Sequence, residues 1–206
     1  MMGQITTGLR STLDNPWIYS LLQNLFGAGK VRADFVADFV RPHAGANVLD
    51  VGCGTAEIID YLPGIHYWGF DISPAYIEKA KSKYGDRGHF FCKELTVEDL
   101  DSLPKYDIAL ALGVLHHLSD AVAGTLLDLV YRALKPGGRL VTFDACFESG
   151  QNPLARLLIS WDRGRNVRSR EGYSELLSRV FPVCRLEVRH KAGVPYTHCF
   201  TECTRT

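Results

Sequence analysis

The chain has 206 residues, a length that suits one α/β domain with a sizeable core and leaves little room for two. Its 23 Lys and Arg residues balance 23 Asp and Glu residues, so no global basic field exists to hold a nucleic acid or an anionic membrane. The N-terminal stretch lacks the pattern of a signal peptide and no run of about 18 apolar residues follows it, which predicts a cytoplasmic protein without a membrane span.

Short apolar runs alternate with helical patterns along most of the chain, which is typical of βαβ units and a mostly parallel sheet. Two helical patterns come first, at about residues 15–26 and 30–40. The predicted parallel strands are then Asn47–Val51, His66–Phe70, His89–Cys92, Tyr106–Leu112 and Arg139–Phe143. Helices are expected between them, over about residues 55–62, 73–84 and 119–134.

The last part of the chain departs from this alternation. Two helical patterns, at about residues 152–161 and 172–180, flank a basic loop over residues 162–170. Two β-rich runs follow, Val183–His190 and Pro195–Cys203, and the short stretch between them forces antiparallel pairing. We therefore predict one α/β domain made of a helical cap (1–43), a core (44–149), an insertion (150–181) and a terminal hairpin (182–206).

A glycine-containing loop, DVGCGTA, follows the first predicted strand. Ligands of open parallel sheets bind outside the carboxyl ends of the strands, where the strand order reverses. Gly52 and Gly54 let the backbone approach a ligand, and the helix start beyond them presents N–H groups to an anion. Asp71 ends the second strand, where its carboxylate can accept hydrogen bonds from both hydroxyls of a ribose. Together these residues predict an adenosine-containing cofactor.

Two details of this loop distinguish between cofactors. The spacing is Gly-Cys-Gly-Thr-Ala, whereas a dinucleotide pyrophosphate is seated by G-x-G-x-x-G. Asp50, two residues before the first glycine, would repel a pyrophosphate and attract an ammonium group. Both details favour S-adenosylmethionine, which carries an ammonium and a sulfonium, over NAD. The alternative is that Asp50 caps the backbone and that the glycines only turn the chain.

Four longer motifs occur in order over about Val48–Ala145: VLDVGCGTAEIID, FDISPAYIEKAKSKY, YDIALALGVLHHLSD and LVYRALKPGGRLVTFDA. In order and spacing they resemble the class I S-adenosylmethionine-dependent methyltransferases, specifically the small-molecule group related to ubiquinone and menaquinone methyltransferases. The resemblance implies a Rossmann-like, seven-stranded, mostly parallel sheet with an antiparallel last strand and helices on both faces. It also implies methyl transfer to a small-molecule acceptor, with S-adenosylhomocysteine as the product.

The resemblance assigns a set of residues to the cofactor: Asp50, Gly52, Cys53, Gly54, Asp71, Ile72, Glu94 and Gly113. Asp50 would hold the amino group, and Gly52, Cys53 and Gly54 would line the methionine part. Asp71 would bind the ribose and Ile72 would pack on the adenine. Glu94 is nearest by spacing to the acidic residue that the family uses for the adenine amino group, with Glu98 and Asp99 behind it. Ala56 stands where the family usually has a third glycine.

His116 and His117 follow the fourth strand, where a histidine with a near-neutral pKa is a natural general base. The alternative is that the pair belongs to the turn, where it packs and forms hydrogen bonds. Asp144 is the third candidate catalytic residue. Because the methyl transfer is a direct in-line displacement without a covalent enzyme intermediate, a base is needed only for a hydroxyl acceptor.

The insertion coincides with the region where the family usually places its substrate lid. Arginine binds carboxylate and phosphate groups bidentately, so Arg163, Arg165 and Arg168 are expected to contact an acidic group of the acceptor. Tyr19 and Trp161 could wall an apolar acceptor. The alternatives are a solvated charged surface for the arginines and core packing for the aromatic residues.

Two other functions stay open at this point. One is a protein that binds S-adenosylmethionine without transferring its methyl group, as a regulatory module or an inactive partner subunit. The other is a nicotinamide-dependent reductase, which Asp50 and the glycine spacing disfavour.

Six cysteines are scattered through the chain without a CxxC pair, which argues against a disulfide framework or a zinc site. We interpret all six as buried thiols. Cys199 and Cys203 lie four residues apart beside His198, a spacing that a metal site could also use. Packing of both side chains on a core is the favoured interpretation, and we predict no metal.

Overall fold

The computed structural model describes residues 28–160, 166–190 and 196–206. Helix α1 (Ala28–Phe35) comes first and continues as a π-helical turn (Val36–Val40). This pair confirms the helical pattern predicted over residues 30–40. The pattern predicted over residues 15–26 lies outside the described residues.

Strands of one mixed sheet form the centre of the fold. Within the described residues they are β1 (Asn47–Val51), β2 (His66–Phe70), β3 (His89–Phe91), β4 (Tyr106–Leu112), β5 (Leu134–Phe147), β6 (Arg168–Ser169), β7 (Val183–His190) and β8 (Thr197–Thr204). Seven of them follow the order β3-β2-β1-β4-β5-β8-β7, and the two-residue β6 pairs with the end of β5.

The directions of the strands agree with the predicted fold class. Strands β1 to β5 pair parallel, whereas β8 pairs antiparallel with both β5 and β7. The seven-stranded path with an antiparallel last strand is therefore confirmed. The strand order reverses between β1 and β4, which is the switch point at which sheets of this kind bind ligands.

Five further α-helices lie among the described residues: α2 (Pro74–Tyr84), α3 (Val97–Ser102), α4 (Asp120–Ala133), α5 (Pro153–Ser160) and α6 (Arg170–Ser178). Short 3₁₀ turns lie at Glu57–Tyr61, Gly85–Arg87 and Leu115–His117. Ser73 caps α2 by accepting a hydrogen bond from the Tyr76 N–H, and Pro74 fits the first turn because no N–H is needed there.

Two hydrophobic cores lie on opposite faces of the sheet, because successive strand residues point to opposite sides. Leu49 and Ala109 face the core that α4 and α6 cover, whereas Val48 and Ile108 face the core that α1 and α2 cover. Residues Ile108–Ala111 of β4 are almost fully buried. The predicted helices on both faces, and the prediction that β4 is buried on both sides, are confirmed.

The predicted helix over residues 55–62 is wrong. Ala56 has a left-handed backbone (φ 57°), which a right-handed helix cannot include, so only the 3₁₀ turn Glu57–Tyr61 forms. Helix α3 was not predicted, and it begins with a capping box in which the Thr96 and Asp99 side chains satisfy each other's backbone N–H groups.

Strand β5 is longer than the predicted Arg139–Phe143, because it already begins at Leu134 and includes the predicted turn. The pairing with β4 shifts between Tyr106 and Ile108, which absorbs the extra residues. A side chain at Gly138 would lie 2.8 Å from the Lys135 carbonyl oxygen and 3.0 Å from that of Tyr106. The glycine is therefore required by close backbone contact.

The cysteines only partly match the prediction of buried thiols. Cys184 and Cys203 face each other across β7 and β8 and form a disulfide, so the prediction of free thiols there is wrong. Cys146 and Cys199 are free and buried, whereas Cys92 is exposed. Cys199 and Cys203 both pack in the hydrophobic core, which confirms the predicted core packing of these two side chains.

Within the described residues, every helix is too short or too polar to traverse a bilayer.

Candidate functional site

The glycine loop turns sharply at the carboxyl end of β1. Gly52 and Gly54 have positive φ angles of 73° and 55°, and the N–H groups of Gly52 and Cys53 donate to the Phe70 carbonyl oxygen at 2.7 and 3.0 Å. A side chain at Gly52 would lie 2.5 Å from Val114 Cγ2, whereas one at Gly54 would meet no atom within 4 Å. The loop therefore packs tightly against the end of β4 on one side and borders open space on the other.

Asp71 ties this loop to the start of α2. Its Oδ2 accepts a hydrogen bond from the Gly54 N–H at 2.9 Å, and its Oδ1 accepts one from the Ser73 N–H at 2.8 Å. A carboxylate oxygen has more than one lone pair, so both oxygens can also accept from a ligand. The next residue, Ile72, is 47% exposed although its side chain is large and apolar. A carboxylate beside an exposed apolar side chain suits a ribose joined to an adenine.

Asp50 lies at the end of β1 and is only 1% exposed. The Tyr67 hydroxyl donates to its Oδ2 at 2.6 Å, while its Oδ1 has no hydrogen-bond partner in the part of the chain that the structure describes. Burial raises the pKa of Asp50 to about 7, the Tyr67 hydrogen bond opposes this rise, and the nearby charge of Asp71 adds to it. An unpaired buried carboxylate oxygen suits an ammonium group of a ligand.

The sequence analysis placed Tyr67 only within the second strand and did not predict that it donates to Asp50. Cys53 lies beside the same carboxylate and packs over Gly69, where a side chain would lie 2.8 Å from its sulfur. Burial raises the pKa of the Cys53 thiol, and the negative charges of Asp50 and Asp71 raise it further. Cys53 is therefore a neutral thiol that shapes the loop rather than a nucleophile.

The acidic residues after β3 were the candidates for contact with the adenine. Glu94 is exposed, and its predicted contact with the adenine stays a prediction. The carboxylate of Asp99 already accepts hydrogen bonds from the Thr96 N–H and from Lys93, so its oxygens are engaged within the protein. Cys92 was predicted to be buried and was not a predicted site residue, but it is exposed and its sulfur lies 3.9 Å from the carbonyl oxygen of Ile72. It therefore borders the same edge of the sheet.

The ends of β4 and β5 meet at Gly113. This residue has a positive φ of 73°, and its N–H donates to the Phe143 carbonyl oxygen at 2.7 Å. The chain then passes through the 3₁₀ turn that holds His116. A side chain at Gly113 would lie 3.7 Å from His116 Cε1, so this edge of the imidazole faces the end of β4.

The structure brings His116 and Asp144 together. His116 Nδ1 lies 2.8 Å from Asp144 Oδ1, and the His116 N–H donates to the same oxygen at 3.1 Å. Both residues are buried, with exposures of 7% and 1%. His117, by contrast, is exposed, and its ring centroid lies 4.1 Å from that of His116. Of the three candidate catalytic residues, two form a buried pair.

This pair fixes which nitrogen of His116 is basic. An ionised carboxylate only accepts hydrogen bonds, so Nδ1 must carry the proton that it donates to Asp144. Nε2 is then the nitrogen with the free lone pair. A histidine held in this tautomer by a buried carboxylate can take a proton from a hydroxyl.

Of the predicted acceptor-binding residues, only Arg168 lies within the described residues; Tyr19, Trp161, Arg163 and Arg165 lie outside them. The Arg168 side chain is 10% exposed. A guanidinium has five N–H donors, and the Arg168 contacts account for all of them. The acceptors are the carbonyl oxygens of Leu115, Leu118 and Asn166 and, twice, the Asp120 carboxylate. These contacts leave no donor for an acidic group of the acceptor.

Comparisons with known proteins show that this chain is similar to methyltransferases. A family model described as a methyltransferase domain matches residues 49–140. The ubiquinone biosynthesis O-methyltransferase of Bradyrhizobium sp. (strain ORS 278) is 28% identical over 163 residues, which covers 75% of this chain and 63% of that protein. Among solved structures, the apo form of the S-adenosylmethionine-dependent methyltransferase SibL matches with a TM-score of 0.69 and 20% identity, over 100% of this chain and 64% of that one.

A second solved structure is matched over almost its whole length. The TehB-like S-adenosylmethionine-dependent methyltransferase from Corynebacterium glutamicum ATCC 13032 Kitasato has a TM-score of 0.59 and 22% identity, over 90% of this chain and 96% of that one. At these identities the solved structures establish the shared fold alone. The chain spans 63% of the length of the curated Bradyrhizobium relative.

Proposed function

We propose that this chain, whose residues 49–140 match a methyltransferase-domain model, is an S-adenosylmethionine-dependent methyltransferase that transfers a methyl group to a hydroxyl oxygen of a small molecule. The buried His116–Asp144 pair is the observation that carries the choice of oxygen. A hydroxyl acceptor must lose its proton, whereas a neutral amine or thiolate acceptor needs no base. The O-methyltransferase name of the Bradyrhizobium relative supports the same choice.

The residues at the ends of β1 and β2 fit the cofactor. The unpaired Oδ1 of Asp50 would accept the amino group, and the open side of Gly54 would border the methionine part. Asp71 would accept from the ribose hydroxyls, and the exposed face of Ile72 would pack on the adenine. When bound, S-adenosylmethionine supplies a methyl group that its positively charged sulfur already activates.

The residues at the ends of β4 and β5 would handle the proton. His116 would accept the hydroxyl proton at Nε2 while Nδ1 keeps its hydrogen bond to Asp144. The buried carboxylate would then face an imidazolium, whose charge it stabilises. The proton would pass to solvent when the methylated product leaves. Gly113, which lies against the imidazole edge, keeps side-chain atoms out of the space beside it.

The identity of the acceptor is a wider proposal. An acidic acceptor group would now have to be bound by Arg163 and Arg165, because the donors of Arg168 are occupied. Tyr19 and Trp161 are kept as the proposed apolar wall. The division of the chain into a helical cap (1–43) and a lid (150–181), and the cytoplasmic location, also stay predictions.

The experiment that tests the proposal measures methyl transfer from labelled S-adenosylmethionine to a panel of small hydroxylated compounds. His116→Asn should lower the rate by about 100-fold or more, because general-base catalysis contributes roughly 10²–10⁴-fold. S-adenosylhomocysteine should bind this variant as it binds the wild type. The exposed, distant His89→Asn is the matched control and should keep the full rate.

The rival outcomes of this experiment are distinct. If His117→Asn abolishes transfer and His116→Asn does not, the base has been assigned to the wrong histidine. If the protein binds S-adenosylhomocysteine but methylates nothing in the panel, the non-catalytic alternative gains support. Binding of NAD(H) in place of S-adenosylhomocysteine would favour the nicotinamide-dependent reductase.

A further inference from the structure

A short stretch of chain, Asn166–Ser169, borders the two structural elements that hold the His116–Asp144 pair. We call it the bridge segment. Its last two residues form β6 and pair with Cys146 and Phe147, just beyond Asp144 in β5. On its other side, the Asn166 N–H donates to the His116 carbonyl oxygen at 3.0 Å. The bridge segment therefore contacts both structural elements that hold the base.

The Arg168 side chain contacts both ends of the His116 turn. Its guanidinium donates to the carbonyl oxygens of Leu115 and Leu118 at 2.8 Å each, on either side of the two histidines. It also donates to Asp120 at the start of α4, at 2.6 and 3.0 Å. The turn is thus held at both of its ends and to the helix that follows.

The same side chain is fixed toward Asp144 by packing. The Arg168 guanidinium lies 5.8 Å from the centroid of the Tyr173 ring, and the Tyr173 hydroxyl donates to the Ala145 carbonyl oxygen at 2.8 Å. Gly172 leaves the space for this arrangement, since a side chain there would lie 3.1 Å from Arg168 Cβ. The contacts thus run from the His116 turn through Arg168 to the residue next to Asp144.

We propose that Arg168 is a positioning residue that sets the His116–Asp144 hydrogen bond by clamping the turn Leu115–His117 against the end of β5. This inference rests on the proposed function, because it assigns Arg168 a role in the same proton transfer. Arg168 acts through His116 and does not contact the acceptor. Proton transfer depends on hydrogen-bond geometry, and a misplacement of about 1 Å can cost about 100-fold in rate.

The planar fork of arginine is essential to this role. Its five donors reach acceptors in several directions at once, whereas the ammonium of lysine is a compact charge with three donors. Arg168→Lys should therefore keep the charge near Asp120 but lose part of the clamp. Arg168→Gln should lose both. Arg170→Gln, which changes an exposed arginine two positions away, is the matched control.

The test measures steady-state methyl transfer, cofactor binding and the tautomer of His116. Arg168→Gln should lower kcat by at least about tenfold, with Arg168→Lys between it and the wild type. The acceptor KM and the affinity for S-adenosylhomocysteine should stay within about twofold, since neither ligand contacts Arg168. In nitrogen-15 spectra, the His116 signals should report an Nδ1–H tautomer in the wild type and a mixture in Arg168→Gln.

The tautomer measurement separates this inference from the proposed function. The His116 signals are assigned by their loss in His116→Asn and do not depend on activity. Unchanged His116 signals and an unchanged kcat in Arg168→Gln would overturn the role of Arg168. If Arg168→Gln no longer folds, the same two readouts in Arg168→Lys decide. A fully active His116→Asn would instead overturn the proposed base, and the tautomer measurement alone would then test the positioning role of Arg168.

Discussion

The two halves of the candidate site are built in different ways. At the ends of β1 and β2, a turn of glycines and the carboxylate of Asp71 border open space, and the buried Asp50 beside them keeps one carboxylate oxygen unpaired. At the ends of β4 and β5, the polar groups are buried and bonded to each other, as in the His116–Asp144 pair. The first half suits the binding of a cofactor, whereas the second suits the movement of a proton. Variants in the two halves should therefore change different measured quantities.

The largest effect on cofactor binding is expected at Asp71. Asp71→Ala removes the ribose acceptor and the hydrogen bond that orders the Gly54 N–H, and each charged hydrogen bond contributes about 1.5–3 kcal/mol. The dissociation constant for S-adenosylhomocysteine should rise by about 30-fold or more, as measured by calorimetric titration. Asp86→Ala, an exposed aspartate outside the site, is the control. Equal affinities for the Asp71 variant and the wild type would remove Asp71 from the cofactor site.

A second effect should appear in the pH dependence of cofactor binding. The carboxylate of Asp50 must be ionised to pair with an ammonium group, and burial raises its pKa to about 7. The affinity for S-adenosylhomocysteine should therefore fall as the pH drops below 7, by up to about tenfold per pH unit. Asp50→Asn should bind more weakly at pH 8 and show a flatter profile. A wild-type profile as flat as that of the variant would contradict the role of Asp50.

The same group also predicts how the stability of the free protein depends on pH. The folded-state pKa of Asp50 lies above its unfolded value, so the folded protein holds this proton more tightly. Its stabilising contribution is present below about pH 4 and is lost as the pH rises through about 7. Asp50→Asn should remove that part of the pH dependence in urea unfolding experiments.

The smallest effect is expected at Ala56, in the cofactor half. Its left-handed backbone costs an L-residue about 1–2 kcal/mol, which a glycine does not incur, although the buried methyl group of Ala56 offsets part of this. Ala56→Gly should raise the free energy of unfolding by about 0.5 kcal/mol. Ala123→Gly, at a buried position inside α4, should lower it by about 1 kcal/mol. A similar loss of stability in both variants would contradict the account of the turn.

The cofactor half could be predicted from the sequence because its signals are local. Asp50, the glycines and Asp71 lie on β1, on the loop that follows it and just after β2, and the parallel pairing of these two strands brings their carboxyl ends together. The errors there are also local. The helix over residues 55–62 was predicted without knowing that Ala56 would take a left-handed backbone.

The acceptor half could be predicted only as separate residues. His116, His117 and Asp144 were all candidates, but the hydrogen bond that joins two of them spans 28 positions. Arg168 was predicted to bind an acidic group because arginines do so often. Its actual acceptors are mostly backbone carbonyl oxygens, which a sequence does not distinguish. Spatial contacts between distant residues were therefore the missing information.

The most direct test of the central claim is the single-turnover rate of methyl transfer to a hydroxylated acceptor by Asp144→Asn, at saturating S-adenosylmethionine. An amide in place of the carboxylate no longer fixes the Nδ1–H tautomer of His116, so the rate should fall by about 100-fold or more. The affinity for S-adenosylhomocysteine should stay within about twofold of the wild type. A variant that transfers methyl groups as fast as the wild type would contradict the claim that the His116–Asp144 pair is the base.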